Sequence, residues 1–486
     1  MLACPLRAGG ERERLKRRPR EGLSTDAEDV GGPACSSDEV PAGRGGGGAK
    51  ALDHLWFDCP ANWVVPGRSC VGELKSSEKS FGISKRKVWE AYLKVKENKG
   101  APGVDGQSIA DFEADLKNNL YKIWNRMSSG TYFPPPVRAV EIPKPHGGGT
   151  RILGVPTVAD RIAQTVVALQ LGPRMEQIFH EDSYGYRPGR SPLMAVEKCR
   201  ERCWRKSWVL DLDVQKFFDS VDHDLMVKAV EANTGQKWVV LYVKRWLTAP
   251  IQFPDGTVAG RDRGTPQGSA ISPVLANLFM HYAFDTWLER EFPTVEFERF
   301  ADDAVVHCVT EHQARQVRAA LAERLESVGL RLHPDKTKIV CCDSWRRRGG
   351  YAATSFTFLG FTFRPRAACD PDGKIFTSFL PAVSKDALKK MSAEVRSWRI
   401  HLRTGLTLKE LARRVNPVVS GWMQYYGAFY HTDLYPLLRR VNHYLMRWIR
   451  KKYRIRTFKK FHRRWKRVTK AWPLFFAHWK WVHSIW

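Results

Sequence analysis

The chain has 486 residues, 43% of them apolar, with 79 Lys/Arg against 51 Asp/Glu and a formal net charge of +28. That length and apolar content suit about three folded domains and exclude a disordered chain. Ten cysteines exclude a disulfide scaffold, and the first twenty residues carry six Arg and no apolar signal stretch.

In chain order, residues 1–79 are expected to be a disordered extension. Positions 1–50 are rich in Gly and poor in large apolar residues, and 51–79 hold Trp56, Phe57 and Trp63 without a period. Regular structure is predicted from Ser84, with Val88, Tyr92 and Val95 on one helical face, ending in the turn-rich stretch from Gly100 to Gly106. Asp160–Phe179 reads as a helix, Trp208–Val214 and Phe297–Val309 as strands, and Ala314–Val328 as a helix. Phe356–Phe363 reads as a short strand pair and Leu388–Tyr453 as largely helical. No apolar run reaches the roughly 20 residues of a membrane span. The pattern predicts an α+β body followed by an α-helical module. Charge follows the same division: from Pro381 onward there are 25 Lys/Arg against four acidic residues. A basic excess of this kind points to nucleic acid and not to a membrane.

Two acidic sites stand out. In the strand Val209-Leu-Asp211-Leu-Asp213-Val214, residues two apart share a face, so Val209, Asp211 and Asp213 point one way. In Phe297–Val306, Asp302 and Asp303 interrupt an apolar run as at the tip of a hairpin. A lone Asp-Asp pair is equally a polar turn. Converging carboxylates backed by apolar sequence are costly without cations, and such a set can hold two Mg²⁺ ions.

Phe300-Ala-Asp302-Asp303 resembles the [YF]-x-D-D box of reverse transcriptases, with Phe where many members carry Tyr. It follows Asp213-Val-Gln-Lys-Phe217-Phe218 by 89 residues, and Pro266-Gln267-Gly268 lies between them. Gly100–Gly106, Ile142-Pro-Lys144 with Arg151–Pro156, Asp160-Arg-Ile-Ala-Gln164, Ser183–Gly189, Asp335-Lys-Thr337 and Phe358-Leu-Gly-Phe361 are similar to motifs of group II intron-encoded reverse transcriptase/maturases. Asn416–Tyr426 resembles the maturase domain of that family. The resemblance covers roughly residues 80–486. It implies a right-hand polymerase, with fingers and palm over 80–380, a helical thumb/maturase domain over 381–450 and a basic nucleic-acid-binding tail over 451–486.

Residue by residue, the resemblance implies that Asp213, Asp302 and Asp303 are catalytic metal ligands, with the Val214 carbonyl on one ion. Asp211 would be a neighbouring polar residue. Lys144 and Arg151 would grip the incoming triphosphate, Gln267 would touch the nucleotide, Phe218 would exclude a ribose 2′-hydroxyl, and Lys336 would act near the pyrophosphate. Leu359, Gly360 and Phe361 would form the primer grip. Phe218 beside Phe217 is equally a core pair. In the tail, Arg463, Arg464, Lys466 and Arg467 flank Trp465; they fit phosphate contacts, and equally the outer face of a bundle with Trp inside.

The implied activity is RNA-directed DNA polymerisation with maturase assistance to splicing. The implied partners are group II intron RNA, an RNA template with a DNA primer, dNTPs and target DNA, in a cytoplasmic, nucleoid-associated setting of a prokaryote. Cys199 and Cys203 sit at helical spacing with no His partner evident in the sequence, and no Cys follows Cys369. An HNH endonuclease domain is therefore not expected. Two alternatives stand beside this reading: a domesticated or defence-associated reverse transcriptase, and a non-enzymatic RNA-binding splicing factor.

Overall fold

A computed structural model describes residues 79–143, 149–343, 353–370 and 372–483. The expected N-terminal extension, 1–79, lies outside them except for its last residue, and so does Lys144.

Helix α1, Lys85–Glu97, buries Val88, Ala91, Tyr92 and Val95, the apolar stripe that its 3.6-residue period requires. It packs on α2, Val158–Ile178. The Thr157 side chain starts α2 by accepting from the Asp160 amide. Strands β1, Val137–Pro143, and β2, Thr150–Val155, form an antiparallel pair in which Ile142 faces Arg151. Helix α3, Pro192–Arg205, begins at a Ser191 cap with Pro at its first position and buries Ala195, Val196, Cys199 and Cys203.

The sheet that matters most has β3, Trp208–Asp213, at its centre. Two short strands, β4 (Ile251–Gln252) and β5 (Val258–Ala259), extend the β1–β2 sheet instead. Helix α4, Ser272–Met280, precedes the hairpin of β6, Glu296–Phe300, and β7, Asp303–Cys308. Helix α5, Glu311–Ser327, and β8, Lys338–Cys341, follow. The order is β6-β7-β3-β8, all antiparallel. One face of this sheet carries Val209, Val305 and Val340 against α3 residues; α5 packs on β3, β7 and β8.

A third sheet comprises β9, Phe356–Phe358, β10, Phe361–Cys369, and β11, Ile375–Val383. The short strand pair expected over 356–363 is thus the start of a longer hairpin. Past Phe363, β10 has a neighbour on one side only, a setting that tolerates Pro365. Beyond it come helices α6, Lys385–Ser397, α7, Leu408–Tyr426, α8, Tyr435–Lys452, and α9, Phe458–Ala471. One core joins them: Met391, Val415, Val441 and Trp448 share it with Phe461, Trp465 and Trp479, so residues on both sides of position 450 enter the same apolar cluster. Mixed α/β structure followed by helices matches the expected class. Among the described residues no helix is long and apolar enough to cross a membrane.

Candidate active site

Register brings the carboxylates together. Asp213 ends β3 and lies directly opposite Asp303, the first residue of β7. Asp302 occupies the two-residue turn between Phe300 and Asp303, which pair across the hairpin. All three therefore stand at one end of the central sheet, with Asp211 two residues back on the same face.

Their electrostatics are those of crowded like charges. Burial, reinforced by Asp211, Asp302 and Asp213, pushes Asp303 well above the usual carboxylate range. Burial also raises Asp302, with Asp213 adding and Arg299 and Lys336 opposing. Asp211 is pushed up to about 7, chiefly by burial. The nearest counter-charge is Lys336, whose Nζ lies 3.1 Å from Asp213 Oδ2, but both side chains are solvent-exposed and such a pair compensates little. Oxygen-only ligands, partly desolvated and short of positive charge, fit hard divalent cations such as Mg²⁺.

The hairpin turn is held on both sides. Ala301 sits at φ +60°, a conformation that costs a non-glycine residue of order 1–3 kcal/mol. Arg299, fully buried, donates from Nη1 to the Ala301 carbonyl at 2.9 Å. The same guanidinium makes a bidentate pair with Asp285 (2.7 and 2.6 Å) and reaches Asn277 Oδ1 and Ser183 Oγ. Asp285 arrives on a wide π-type turn, His281–Asp285, that continues α4. Gly185 completes the clamp, since a Cβ there would stand 2.5 Å from the Ala301 nitrogen. On the opposite face of β6, Arg202 from α3 binds Asp182, Glu298 and Glu296. These buried pairs escape a motif reading; the trace they leave in the sequence is Glu296, Glu298 and Arg299 inside an otherwise apolar strand.

The other expected residues fall as follows. Val214 bridges to Leu332 through bonds made by its neighbours, Gln215 N–H to Arg331 O and His333 N–H to Asp213 O. Its own carbonyl therefore faces away from that segment, towards the side of the sheet where the Asp302 turn closes β7. Phe217 is 1% exposed and belongs to the core, while Phe218 is half-buried. The Phe218 carbonyl accepts from the Thr265 amide at 2.7 Å, which ties it to the Pro266–Gly268 loop. That loop is fixed from two sides. Gln267 O accepts from Gly154 N on β2 at 2.7 Å, and Gln164 Oε1 on α2 accepts from Ser269 Oγ and the Ala270 amide, both at 2.8 Å. Asp160, buried and pushed up to about 6, receives Gln164, Tyr132 and Trp246. Arg151 is exposed on β2; its charge and that of Asp302 both act on the Tyr186 hydroxyl, a residue not singled out from sequence.

Leu359 and Gly360, both at positive φ, make a tight turn between β9 and β10. The Leu359 carbonyl accepts from Tyr425 Oη of α7 at 2.9 Å, and the Leu359 backbone opposes the upward push of burial on Asp303. Phe361 is fully buried among Tyr425, Tyr426 and Phe429. Arg463, Arg464, Lys466 and Arg467 are exposed on α9, while Phe461 and Trp465 face inward, so the inside-out division of that segment holds. Apart from these carboxylates, Cys199, Glu298 and His307 place one ligand-type atom each within 4.8 Å of one another, a set able to chelate a metal ion.

Residues 142–363, which span the three carboxylates and the Pro-Gln-Gly loop, match the family described as reverse transcriptase (RNA-dependent DNA polymerase). Residues 388–472 match the group II intron, maturase-specific domain. The class defined by fold and site is thus an RNA-directed DNA polymerase joined to an RNA-binding helical module. The chain is 33% identical to protein YkfC of Escherichia coli (strain K12) over 285 residues, 50% of this chain and 73% of YkfC. It is 30% identical to the group II intron-encoded protein LtrA of Lactococcus lactis subsp. cremoris over 193 residues, 39% of this chain and 32% of LtrA. The chain belongs to the group II intron-encoded reverse transcriptases/maturases.

Proposed function

We propose that this chain copies RNA into DNA by a two-metal-ion mechanism and binds its own intron RNA to assist splicing. The observation that carries the reading is the convergence of Asp213, Asp302 and Asp303 at one sheet end, without enough positive charge around them. In this reading residues 80–380 are fingers and palm, 381–450 the thumb/maturase domain, and 451–486 a nucleic-acid-binding segment.

Asp213, Asp302, Asp303 and the Val214 carbonyl would hold two Mg²⁺ ions. When bound, the ions lower the pKa of the primer 3′-hydroxyl and neutralise charge developing on the pyrophosphate. The remaining work falls to side chains. Arg151 and Lys144 grip the triphosphate, and Arg supplies planar, paired donors for it. Lys336, already at Asp213, offsets charge on the leaving side. Gln267 and Phe218, tied to one loop, contact the nucleotide, with the Phe218 ring excluding a 2′-hydroxyl. Leu359, Gly360 and Phe361 hold the primer end beside Asp303. Arg463, Arg464, Lys466 and Arg467 contact RNA phosphates. Substrates are an RNA template with a DNA primer, dNTPs, intron RNA and, during mobility, target DNA.

The test is primer extension by the full chain on an RNA template. Extension is expected with Mg²⁺, lost with EDTA, and restored by excess Mg²⁺. Asp302→Ala should abolish extension and leave intron RNA binding unchanged. Undiminished extension by that variant would reject the assignment, and RNA binding by a wild type that never extends a primer would favour a non-enzymatic splicing factor.

A further inference from the structure

The segment that clamps the Ala301 turn carries one side chain that the clamp does not use. From Asp182 to Arg187 every residue is buried except Tyr186, which is 55% exposed. Its neighbours are committed to the fold. The Arg299 N–H donates to the Asp182 carbonyl at 2.9 Å and the Tyr184 N–H to the Arg299 carbonyl at 2.8 Å, so the segment runs beside β6. Tyr184 Oη donates to Asp182 at 3.0 Å, and Asn277 Nδ2 to the Gly185 carbonyl at 2.6 Å. Arg187 Nη1 donates to the His180 and Ser183 carbonyls, both at 2.6 Å. Tyr186 itself is held at φ +56°, a left-handed conformation that is unfavourable for a bulky aromatic residue. A large ring is thus left in solvent on a strained and firmly bonded backbone.

The position of that ring relates it to the carboxylates. Gly185, just before it, packs directly on the Ala301 backbone, and the Tyr186 ring stands 6.1 Å from the Phe300 ring at a tilt of 47°. Phe300, Ala301 and Asp302 are consecutive, so the exposed ring borders the hairpin tip. Its hydroxyl also lies in the field of two groups of opposite sign: partial burial raises its pKa, Asp302 adds to the rise and Arg151 opposes it. Phe300 has no polar atom on its ring, and Tyr186 brings one to the same edge of the site.

We propose that Tyr186 contacts the minor-groove edge of the base pair at the primer terminus, with its ring against the sugar and its hydroxyl donating to a base. The inference rests on the polymerase reading: a 3′-hydroxyl activated at Asp302 and Asp303 puts the last primer nucleotide beside the hairpin tip that Tyr186 borders. A duplex of A-form geometry, such as an RNA–DNA hybrid, has a wide, shallow minor groove with its base edges on display, which a side-chain ring can enter. The acceptors in that groove are the same for A·T and T·A, so a hydroxyl donor there reads little sequence and suits a polymerase that copies any template. A mismatched pair displaces those acceptors, so the contact favours matched ends. Tyrosine is suited to the task, since it offers a large amphipathic surface with only two side-chain torsions to order.

The test compares the full-length wild type with Tyr186→Phe, which keeps the ring on Phe300, and with Tyr186→Asn, which removes the ring and tolerates a left-handed backbone. Single-turnover extension is read on one RNA template from primers whose last pair is matched or mismatched. Loss of one hydrogen bond in Tyr186→Phe should slow matched extension about two- to tenfold and leave mismatched extension unchanged, so discrimination falls by that factor. Tyr186→Asn should also bind primer–template several-fold more weakly, while its thermal melt stays close to that of the wild type because the side chain is exposed. Wild-type discrimination in Tyr186→Phe would overturn the proposal. Matched and mismatched extension falling together would do the same, since a ring that only supports Phe300 affects both alike. A wild type that extends no primer would remove the polymerase reading and this contact with it; a wild type that extends, with variants that discriminate as it does, would remove the contact alone.

Discussion

At the scale of single residues, the candidate site stores repulsion. Asp303 is the clearest case, because burial and three neighbouring carboxylates all raise its affinity for a proton. A carboxyl whose folded pKa exceeds its unfolded value binds its proton more tightly when folded. Metal-free stability then falls as pH rises from the unfolded value through the folded one. Asp303→Asn removes that effect. The variant is expected to be more stable than the wild type without metal, with a margin that widens as pH rises above about 4, and to be inactive in extension. Urea melts of both proteins in EDTA at several pH values measure this; a margin independent of pH would mean that Asp303 is not under charge stress. Arg299 shows the opposite principle. Its guanidinium is buried yet fully bonded, and it uses that bonding to hold Ala301 in a left-handed conformation that a non-glycine residue does not choose unaided.

Among the elements, the β9–β10 turn and helix α7 form one link. Tyr425 donates to the Leu359 carbonyl, and the Leu359 backbone lowers Asp303 against the push of burial. One residue of the turn, Leu359, thereby stands between the helical module and a carboxylate. Tyr425→Phe keeps the ring against Phe361 and removes the hydroxyl. We expect a stability loss of about 0.5–1.5 kcal/mol and a several-fold slower extension at saturating primer–template, with RNA affinity unchanged. Unchanged single-turnover extension would show that the turn keeps its place without this bond. Helix α9 divides its labour by face, with Trp465 buried and Arg463, Arg464, Lys466 and Arg467 exposed. Neutralising those four should weaken intron RNA binding and flatten the plot of log K against log salt, by roughly 0.7–0.9 for each phosphate no longer neutralised. Arg464 also lies 3.6 Å from the Tyr453 ring centroid, and removing that cation–π pair costs about 0.5–1 kcal/mol. Extension on a short, saturating primer–template should survive. An unchanged salt slope, read by filter binding, would leave these residues a solvating role only.

For the molecule as a whole, charge and chemistry occupy different regions. The crowded carboxylates Asp211, Asp213, Asp302 and Asp303 sit in the α/β part, while the last 106 residues hold 25 Lys/Arg against four acids. The helical region can carry that density because its core is apolar and its buried Asn442 is hydrogen-bonded on both the oxygen and the nitrogen of its amide. Asn442 is the hub, accepting from the Trp479 indole at 2.8 Å, bonded to His478 Nε2 at 2.7 Å, and donating to the Val482 carbonyl. Burial lowers His478 to about 3, so it is held neutral. An unfolded histidine takes its proton near pH 6.5, and between there and about 3 the unfolded chain binds one more proton than the folded one. Stability from this group is thus complete above pH 6.5 and falls with acidification, by about 1.4 kcal/mol per pH unit at most. His478→Gln, which retains a donor towards Asn442, should lose less stability than the wild type between pH 6.5 and 4. Tryptophan-monitored urea melts test it, and parallel losses in both proteins would refute it.

The amino-acid sequence by itself determined whatever depends on local order and period. Strict alternation in β3 put Asp211 and Asp213 on one face; two acids between apolar runs marked the hairpin tip at Asp302 and Asp303; Val88, Tyr92 and Val95 fixed the buried stripe of α1. Motif order then gave the family. Tertiary structure alone decided partnerships between distant positions. Arg202 meets Glu298 across 96 residues, Arg299 meets Asp285 on a π-type turn, Tyr425 reaches Leu359 across 66, and His307 comes within 4.8 Å of Cys199 on α3. The physical reason is that a buried charge, hydroxyl or imidazole must be satisfied by whatever the packing of strands and helices brings next to it. That neighbour is set by sheet order and register, and no spacing along the chain encodes it.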